Sequence, residues 1–158
     1  MGRARARQCE AGGTRVDLLA LPSHLAISRA RLFLDLADEC TMEQRDRCEA
    51  FMEAAIIFCR TALQRARTQY KRWPGWNDWW DRLRTDPNLA FIRQRRNWIV
   101  KEAPETFSQV IRPGQPFSFA ADCYYYDRRD IRATTTLRRL VDVTERHIAD
   151  ADARFGQP

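Results

Sequence analysis

The sequence predicts a mainly all-α protein, an antiparallel up-and-down bundle of four to five helices with a small β-hairpin or extended arm before the last helix. Three observations lead to this prediction. Apolar residues recur at helical spacing over most of residues 21–155, proline and glycine interrupt them at few places, and one stretch near residue 120 alternates instead. A chain of 158 residues suffices for one domain, which we expect to span residues 16–158. Residues 1–15 are basic and without periodicity, so we expect a disordered arm there.

The composition and the cysteine pattern narrow the class of protein. No apolar run approaches the roughly 20 residues that a membrane span requires. The basic start lacks the apolar segment of a signal peptide, so we expect a cytoplasmic protein that makes no membrane contact. The five cysteines are scattered without the spacing of a metal site or a disulfide scaffold. We therefore expect reduced, mostly buried thiols, no metal and no cofactor.

The first predicted helix ends near Cys40 and has Ser23 as its expected N-cap. Leu25, Leu32 and Leu36 are spaced to face one side of it, which predicts its buried face.

The second predicted helix is the longest and should lie at the centre of the bundle. It begins at Thr41, which forms the capping-box pattern with Gln44. We expect it to continue to Gln69 or Tyr70, a length of about 40 Å at 1.5 Å per residue. Two apolar seams run along it, the first with Phe51, Ala55, Phe58, Ala62 and Ala66, and the second with Met52, Ile56, Cys59 and Leu63.

Tryptophans mark the end of this long helix. Pro74 and Gly75 interrupt the pattern, and Asn77 is the expected N-cap of a short helix through Leu83. All five tryptophans lie between residues 73 and 98, and we expect them to be buried where the long helix turns back against the next one. Stacking of these rings on nucleic-acid bases is the alternative.

The helix predicted over residues 86–104 carries the most informative pattern. Asp86 is its expected N-cap, Pro87 suits the first helical position, and Pro104 makes a longer helix unfavourable. Arg96 lies on the apolar side, where an arginine requires an ion pair with another helix, a guanidinium that extends past its neighbours to water, or a functional role. The apolar side itself consists of Leu89, Ile92, Ile99 and Val100.

The spacing of the apolar residues changes after this helix from helical to alternating. Residues 109–111, a turn at residues 112–114 and an alternating segment over residues 116–126 predict a hairpin that lies on the helices or pairs with another chain. Phe117, Phe119, Ala121, Cys123 and Tyr125 occupy the alternate positions. After a charged loop at residues 127–132, a last helix from about Thr135 has a regular apolar seam of Leu137, Leu140, Val141, Thr144, Ile148, Ala151 and Phe155.

The net charge of +6 is concentrated in one segment. Residues 60–101 contain eleven basic and three acidic residues, whereas residues 16–59 contain four basic and eight acidic residues. Such a patch predicts contact with phosphates, for which Lys71, Arg72, Arg93 and Arg95 are candidates. An arginine-rich but purely solvated helix face is the alternative.

Residues 86–102 resemble the signature helix of HEPN domains, the small helical bundles of prokaryotic toxin and defence proteins. In those domains an arginine, often followed by asparagine, precedes a histidine by about four intervening residues. Arg96 and Asn97 match the first half, and Lys101 stands where the histidine is usual. The resemblance implies a homodimer and metal-independent RNA cleavage, with catalytic roles for Arg96, Asn97 and Lys101.

Lys101 changes what the resemblance implies for catalysis. The family's histidine takes a proton from a ribose 2′-hydroxyl, while its arginine stabilises charge on the phosphoryl group. A lysine with an ordinary pKa of about 10.4 stays protonated at pH 7, so it binds phosphate but does not act as a base. The two histidines, His24 and His147, are expected to be packing or surface residues.

The sequence therefore predicts a HEPN-like bacterial stress or defence protein that binds RNA or nucleotide phosphates through a basic face, with ribonuclease activity lost or weak. Its expected partners are RNA or a nucleotide, a second copy of the chain and a protein encoded nearby. The alternative is a non-catalytic protein-interaction or antitoxin-like dimerisation module, in which the basic face binds an acidic protein and the segment at residues 109–130 pairs with a neighbouring chain.

Overall fold

The computed structural model describes residues 21–101, 107–110, 114, 117–126 and 130–156. These residues form five helices and one two-stranded hairpin, the mainly all-α bundle with a hairpin before the last helix that the sequence predicts. The expected arm at residues 1–15, Pro104 and part of the charged loop lie outside the described residues. In the described ranges no helix is both long and apolar enough to cross a bilayer. The helices are α1 (Pro22–Asp38), α2 (Arg45–Tyr70), α3 (Trp76–Leu83), α4 (Pro87–Lys101) and α5 (Ala133–Phe155), and the strands are β1 (Ser108–Gln109) and β2 (Tyr124–Tyr125).

Helix α1 buries a different face from the one predicted. Leu25 and Leu32 are 43% and 53% exposed, so the buried face predicted from the leucine spacing was wrong. Ser23 makes no capping hydrogen bond, and its buried hydroxyl has no hydrogen-bond partner among the described residues. The face that packs is rich in small side chains, which allow α1 to approach its neighbours closely. It consists of Ser23, Ala26, Ile27, Ala30, Leu34 and Ala37.

Helix α2 is the central helix, as predicted. The backbone N–H of Thr41 donates to Gln44 Oε1 at 3.2 Å, and a 3₁₀ turn over Met42–Gln44 leads into the helix. The seam of Met52, Ile56, Cys59 and Leu63 is buried. In the other seam Phe51 and Phe58 are only partly buried and pack around Phe33 of α1, with ring centroids 5.9 and 5.5 Å from it.

Three of the five tryptophan rings lie together where α2 turns back against the helices that follow it. Trp76 and Trp79 are buried against Phe155, and Trp80 is partly buried beside them. Trp73 and Trp98 are each 44% exposed, so the prediction that all five are buried was wrong. Trp73 lies in the turn before α3, and Trp98 lies on α4.

Gly75, rather than Asn77, is the residue that precedes α3. Its φ of 78° lies in the left-handed region, where a side chain would strain the backbone. The expected asparagine cap was therefore wrong by two residues.

Asp86 caps α4 as predicted, since its Oδ1 accepts the backbone N–H of Asn88 at 2.8 Å. Leu89 and Ile92 are buried, and Ile99 packs partly against the core. Val100 is 53% exposed, contrary to the prediction. It lies farther round the last turn of α4, beyond the part of the helix that the core covers.

The hairpin is much shorter than the alternating pattern predicts. Ser108 is opposite Tyr125, Gln109 is opposite Tyr124, and Ala120–Cys123 is a 3₁₀ turn instead of a strand. Phe119 is 46% exposed, so the predicted alternation does not describe the buried side. The segment packs on the bundle because the Ala120 N–H donates to the Cys40 carbonyl at 2.8 Å and Tyr124 Oη donates to Glu49 at 2.6 Å.

Helix α5 completes the core and begins two residues before the predicted position. Every residue of its predicted apolar seam is buried. Two arginines tie it to α1 at the surface: Arg31 contacts Asp142 and Glu145, and Arg138 contacts Asp35 and Asp38.

Candidate phosphate-binding groove

Arginines of α2 and α4, together with Arg84 directly after α3, line one groove on the surface of the bundle. Arg60 and Arg67 lie seven residues apart on α2, which places them on the same face two turns apart. Arg93 and Arg96 lie three residues apart on α4, close to one turn. We call the surface formed by these residues, with Arg65 and Arg84, the arginine groove.

The groove has two lobes, and Arg60 lines both of them. The first lobe has a volume of about 370 Å³ and is lined by Arg60, Arg67, Asn77, Trp80, Asp81, Arg84 and Arg93. The second lobe has a volume of about 390 Å³ and is lined by Arg60, Thr61, Gln64, Arg65, Thr68, Arg96 and Asn97.

Positive charge is concentrated around Arg60. Burial lowers the pKa of its guanidinium, and the neighbouring charges of Arg93, Arg96, Arg67 and Arg84 lower it further. Each of these neighbours disfavours another positive charge. An anion bound between them would remove that repulsion.

Few negative groups face this charge. Asp81 is the one carboxylate that lines either lobe in the described part of the chain, and it lies 3.6 Å from Arg84 with both side chains largely exposed. Within the same part of the chain, Arg60, Arg93 and Arg96 form no ion pair. The Arg67 guanidinium lies 5.6 Å from the centre of the Trp80 ring, a cation–π contact that leaves its charge uncompensated. The groove is therefore a strongly positive surface.

Three of the residues predicted from the sequence lie in the groove. Arg96 and Asn97 line the second lobe, where Arg96 Nη1 donates to Asn97 Oδ1 at 3.3 Å, and Arg93 lines the first lobe. Arg96 is partly buried, yet its guanidinium faces the groove rather than a carboxylate inside the bundle.

The other predicted residues lie elsewhere. Lys101 is exposed at the end of α4 and lines neither lobe, because five residues of helix place it about 140° round the axis from Arg96. Arg95 points to another side of α4, 5.0 Å from the Phe91 ring and 5.7 Å from the Tyr126 ring. Lys71 and Arg72 are exposed in the turn that follows α2. The structure thus separates Lys101 from the pair that it accompanies in sequence.

Sequence reasoning did not single out Arg60, Arg65, Arg67 and Arg84. The seven-residue spacing of Arg60 and Arg67 was the available signal, since it places two cations on one face of α2. That signal alone does not tell which face of α2 is turned towards α4.

The two histidines do not line the groove. His24 Nε2 lies 2.5 Å from Asp152 Oδ2, and the same carboxylate accepts the Tyr70 hydroxyl at 2.6 Å. His147 Nε2 lies 3.0 Å from Asp86 Oδ2. These contacts link α5 to α1, α2 and the start of α4, so both rings hold helices together.

The described cysteines and other metal-binding side chains form no second site in the part of the chain that the structure covers. Cys40, Cys48, Cys59 and Cys123 are free and buried, and burial raises the pKa of Cys48 and of Cys59 to about 12. Such thiols remain protonated and unreactive at neutral pH. Over the described ranges, no three histidine, cysteine or acidic residues are arranged to hold a metal ion.

Comparison with models of protein families, with curated proteins and with solved structures found no match to this chain. The similarity to HEPN domains therefore stays a prediction from residues 86–102.

Proposed function

We propose that this chain binds RNA through the arginine groove, as a HEPN-like protein of a bacterial stress or defence system. The observation that carries the proposal is the convergence of Arg67, Arg84, Arg93 and Arg96 on the partly buried Arg60. Guanidinium groups bind phosphate oxygens through paired donors, and a cluster of them in which Asp81 is the one carboxylate among the described residues favours a ligand with several negative charges. In the HEPN-like arrangement a second copy of the chain would place its own groove beside this one.

Binding without efficient hydrolysis follows from the residues that line the groove. Neither lobe contains a histidine, and Lys101 lies outside both. A base must lie within hydrogen-bond reach of the proton that it removes. Lys101→His should therefore produce no cleavage of labelled RNA, whereas cleavage by this variant but not by wild type would show that position 101 reaches the substrate.

Fluorescence anisotropy with a labelled single-stranded RNA octamer, U8, tests the binding itself. Wild type should bind, with an affinity that falls as salt increases, by a log–log slope of about −0.7 for each phosphate contacted. The double variant Arg60→Gln with Arg96→Gln should weaken binding by about tenfold or more, because each guanidinium contact to phosphate is charge-assisted. Failure of wild type to bind U8 at low salt would refute the proposal.

Arg139→Gln with Arg146→Gln is the matched control for this measurement. Both residues are exposed on α5 and line neither lobe, so replacing them removes the same two charges without touching the groove. The affinity of this control for U8 should stay within about twofold of wild type, as expected for screened charges outside the site. If the control weakens binding as much as the double variant in the groove, binding depends on net charge alone and the groove is not the site.

The alternative function, a protein-interaction module that uses the hairpin segment, has less support. Tyr124 and Tyr126 of that segment are buried in the core of the monomer, and Tyr124 donates a hydrogen bond to Glu49 of α2. The surface of these two rings is therefore not available to a neighbouring chain, whereas Phe119 of the segment is 46% exposed.

A further inference from the structure

The two lobes of the groove are separate binding surfaces that share one residue. The first lobe has its own arginines in Arg67, Arg84 and Arg93, and the second has Arg65 and Arg96. Arg60 lies between them and lines both. Because each lobe holds at least two guanidinium groups in addition to Arg60, each provides enough donors for one phosphate.

The neutral donors of the two lobes reinforce this division. Asn77 lines the first lobe, and Thr61, Gln64, Thr68 and Asn97 line the second. Hydroxyl and amide groups beside arginines are the usual additional partners of phosphate and sugar oxygens. The second lobe therefore has donors for both a phosphate and the sugar next to it.

The apolar recess that adjoins the groove in the described part of the chain is too small to accept a base. The recess nearest Arg60 holds only about 20 Å³, enough for a single water molecule. Its lining includes Leu63, Leu83, Leu89 and Ala90. The Trp80 ring, which borders it, already stacks on Trp76 at 5.6 Å and lies under the Arg67 guanidinium. A base would have to displace these contacts to stack there.

We propose that the arginine groove binds two adjacent phosphates of one nucleic-acid strand, one in each lobe with Arg60 between them, and that it recognises no base. This inference rests on the proposed function and specifies how the same site selects its ligand. A strand that fills both lobes binds the second phosphate as an intramolecular step, so two linked phosphates bind more tightly than separate ones. The ligand class is then a single-stranded backbone of any sequence.

Competition against labelled U8 with the full chain tests the inference. The competitors are UMP, which has one phosphate, and the dinucleotide pUpU, which has two. For wild type, pUpU should compete about tenfold better than UMP or more, because the second phosphate is bound at a raised effective concentration. Labelled A8 and U8 should bind within about threefold of one another, since stacking and base contacts are absent.

Single-lobe variants provide the decisive comparison. Arg84→Gln alters only the first lobe and Arg96→Gln only the second. Each should reduce the advantage of pUpU over UMP to about threefold or less, while UMP itself, which uses the other lobe, changes by less than about threefold. Arg139→Gln should keep the full advantage. Arg96→Lys keeps the charge without the paired donors, so it should lose part of the advantage even if Arg96→Gln folds poorly.

The outcomes separate this inference from the proposed function. Wild type that fails to bind U8 refutes both. If wild type binds U8 but pUpU competes no better than UMP, or keeps its advantage in both single-lobe variants, the two-phosphate arrangement is wrong while RNA binding stands. A preference of more than about tenfold between A8 and U8 would show base recognition and overturn that part of the inference.

Discussion

Replacing Arg60 by methionine should raise the stability of the protein and weaken its RNA binding. Arg60 is partly buried, its pKa is lowered by burial and by four neighbouring arginines, and no carboxylate pairs with it in the described part of the chain. Methionine keeps a long, flexible side chain that fills similar space. The substitution therefore removes the repulsion while keeping most of the packing of the aliphatic stem.

The size of the effect follows from Coulomb repulsion. Two like charges roughly 8 Å apart repel by about 0.5 kcal/mol in water and by about 2 kcal/mol at an effective dielectric constant of 20. The groove is open to solvent and screened by salt, so the lower value is the better guide. Four neighbours then give about 1–2 kcal/mol, and lost packing leaves a net gain of about 1 kcal/mol. For a domain of this size the corresponding rise in Tm is about 2–4 °C.

Thermal unfolding followed by circular dichroism at 20 mM and 500 mM NaCl measures this gain. The Tm of Arg60→Met should exceed that of wild type at 20 mM, and the difference should shrink at 500 mM, where repulsion is screened over about 4–5 Å. Arg139→Met, on the exposed face of α5, should change the Tm by less than about 1 °C at either salt, as surface substitutions usually do. Adding U8 should raise the Tm of wild type more than that of Arg60→Met.

A lower Tm for Arg60→Met at both salt concentrations would refute the reasoning. It would show that Arg60 stabilises the fold through a contact, in which case its position among four arginines would have a structural reason. A higher Tm together with unchanged U8 binding would refute only its role in binding.

Asp86→Ala should lower stability by about 1 kcal/mol at pH 7, since Asp86 caps α4 and contacts His147. Burial raises the pKa of Asp86, but hydrogen bonds from His147 and Asn88 outweigh burial and lower that pKa, so the stabilisation is present above about pH 4 and is lost as pH falls further. The difference in Tm between wild type and Asp86→Ala should therefore narrow between pH 7 and pH 3. A constant difference would contradict this. Tyr124→Phe should lower the free energy of unfolding in urea by about 1–2 kcal/mol, because the partly buried Glu49 loses the hydroxyl that donates to it at 2.6 Å. An unchanged urea midpoint would show that water replaces the hydroxyl. Ser23→Ala should raise the Tm by up to about 3 °C, because the buried hydroxyl has no partner among the described residues, and a fall would reveal one.

The sequence predicted the helices best where periodicity and end signals agree. Helix α5 shows its full apolar seam, Asp86 caps α4, and the Thr41 backbone N–H pairs with Gln44 before α2. These features depend on residues within a few turns of one another, so local geometry determines them.

Local pattern failed where packing between distant elements decides burial. The leucines of α1 were expected inside, but its alanine-rich face allows closer packing and Leu25 and Leu32 stay exposed. The alternating segment was expected as a strand, but contacts to Cys40 and Glu49 fold residues 120–123 into a 3₁₀ turn. Neither competing contact is visible in the segment itself.

By itself the sequence determined that this protein is a helical bundle and that residues 60–101 carry its positive charge, because spacing and composition are local properties. Only the tertiary structure decided which cations converge. It brings Arg60 and Arg67 of α2 against Arg84, Arg93 and Arg96, and it leaves Lys101 and Arg95 on other sides of α4. The reason is geometric: the rotation of each helix about its axis is set by which face its neighbours bury, and that rotation decides whether a charge faces the groove or the solvent.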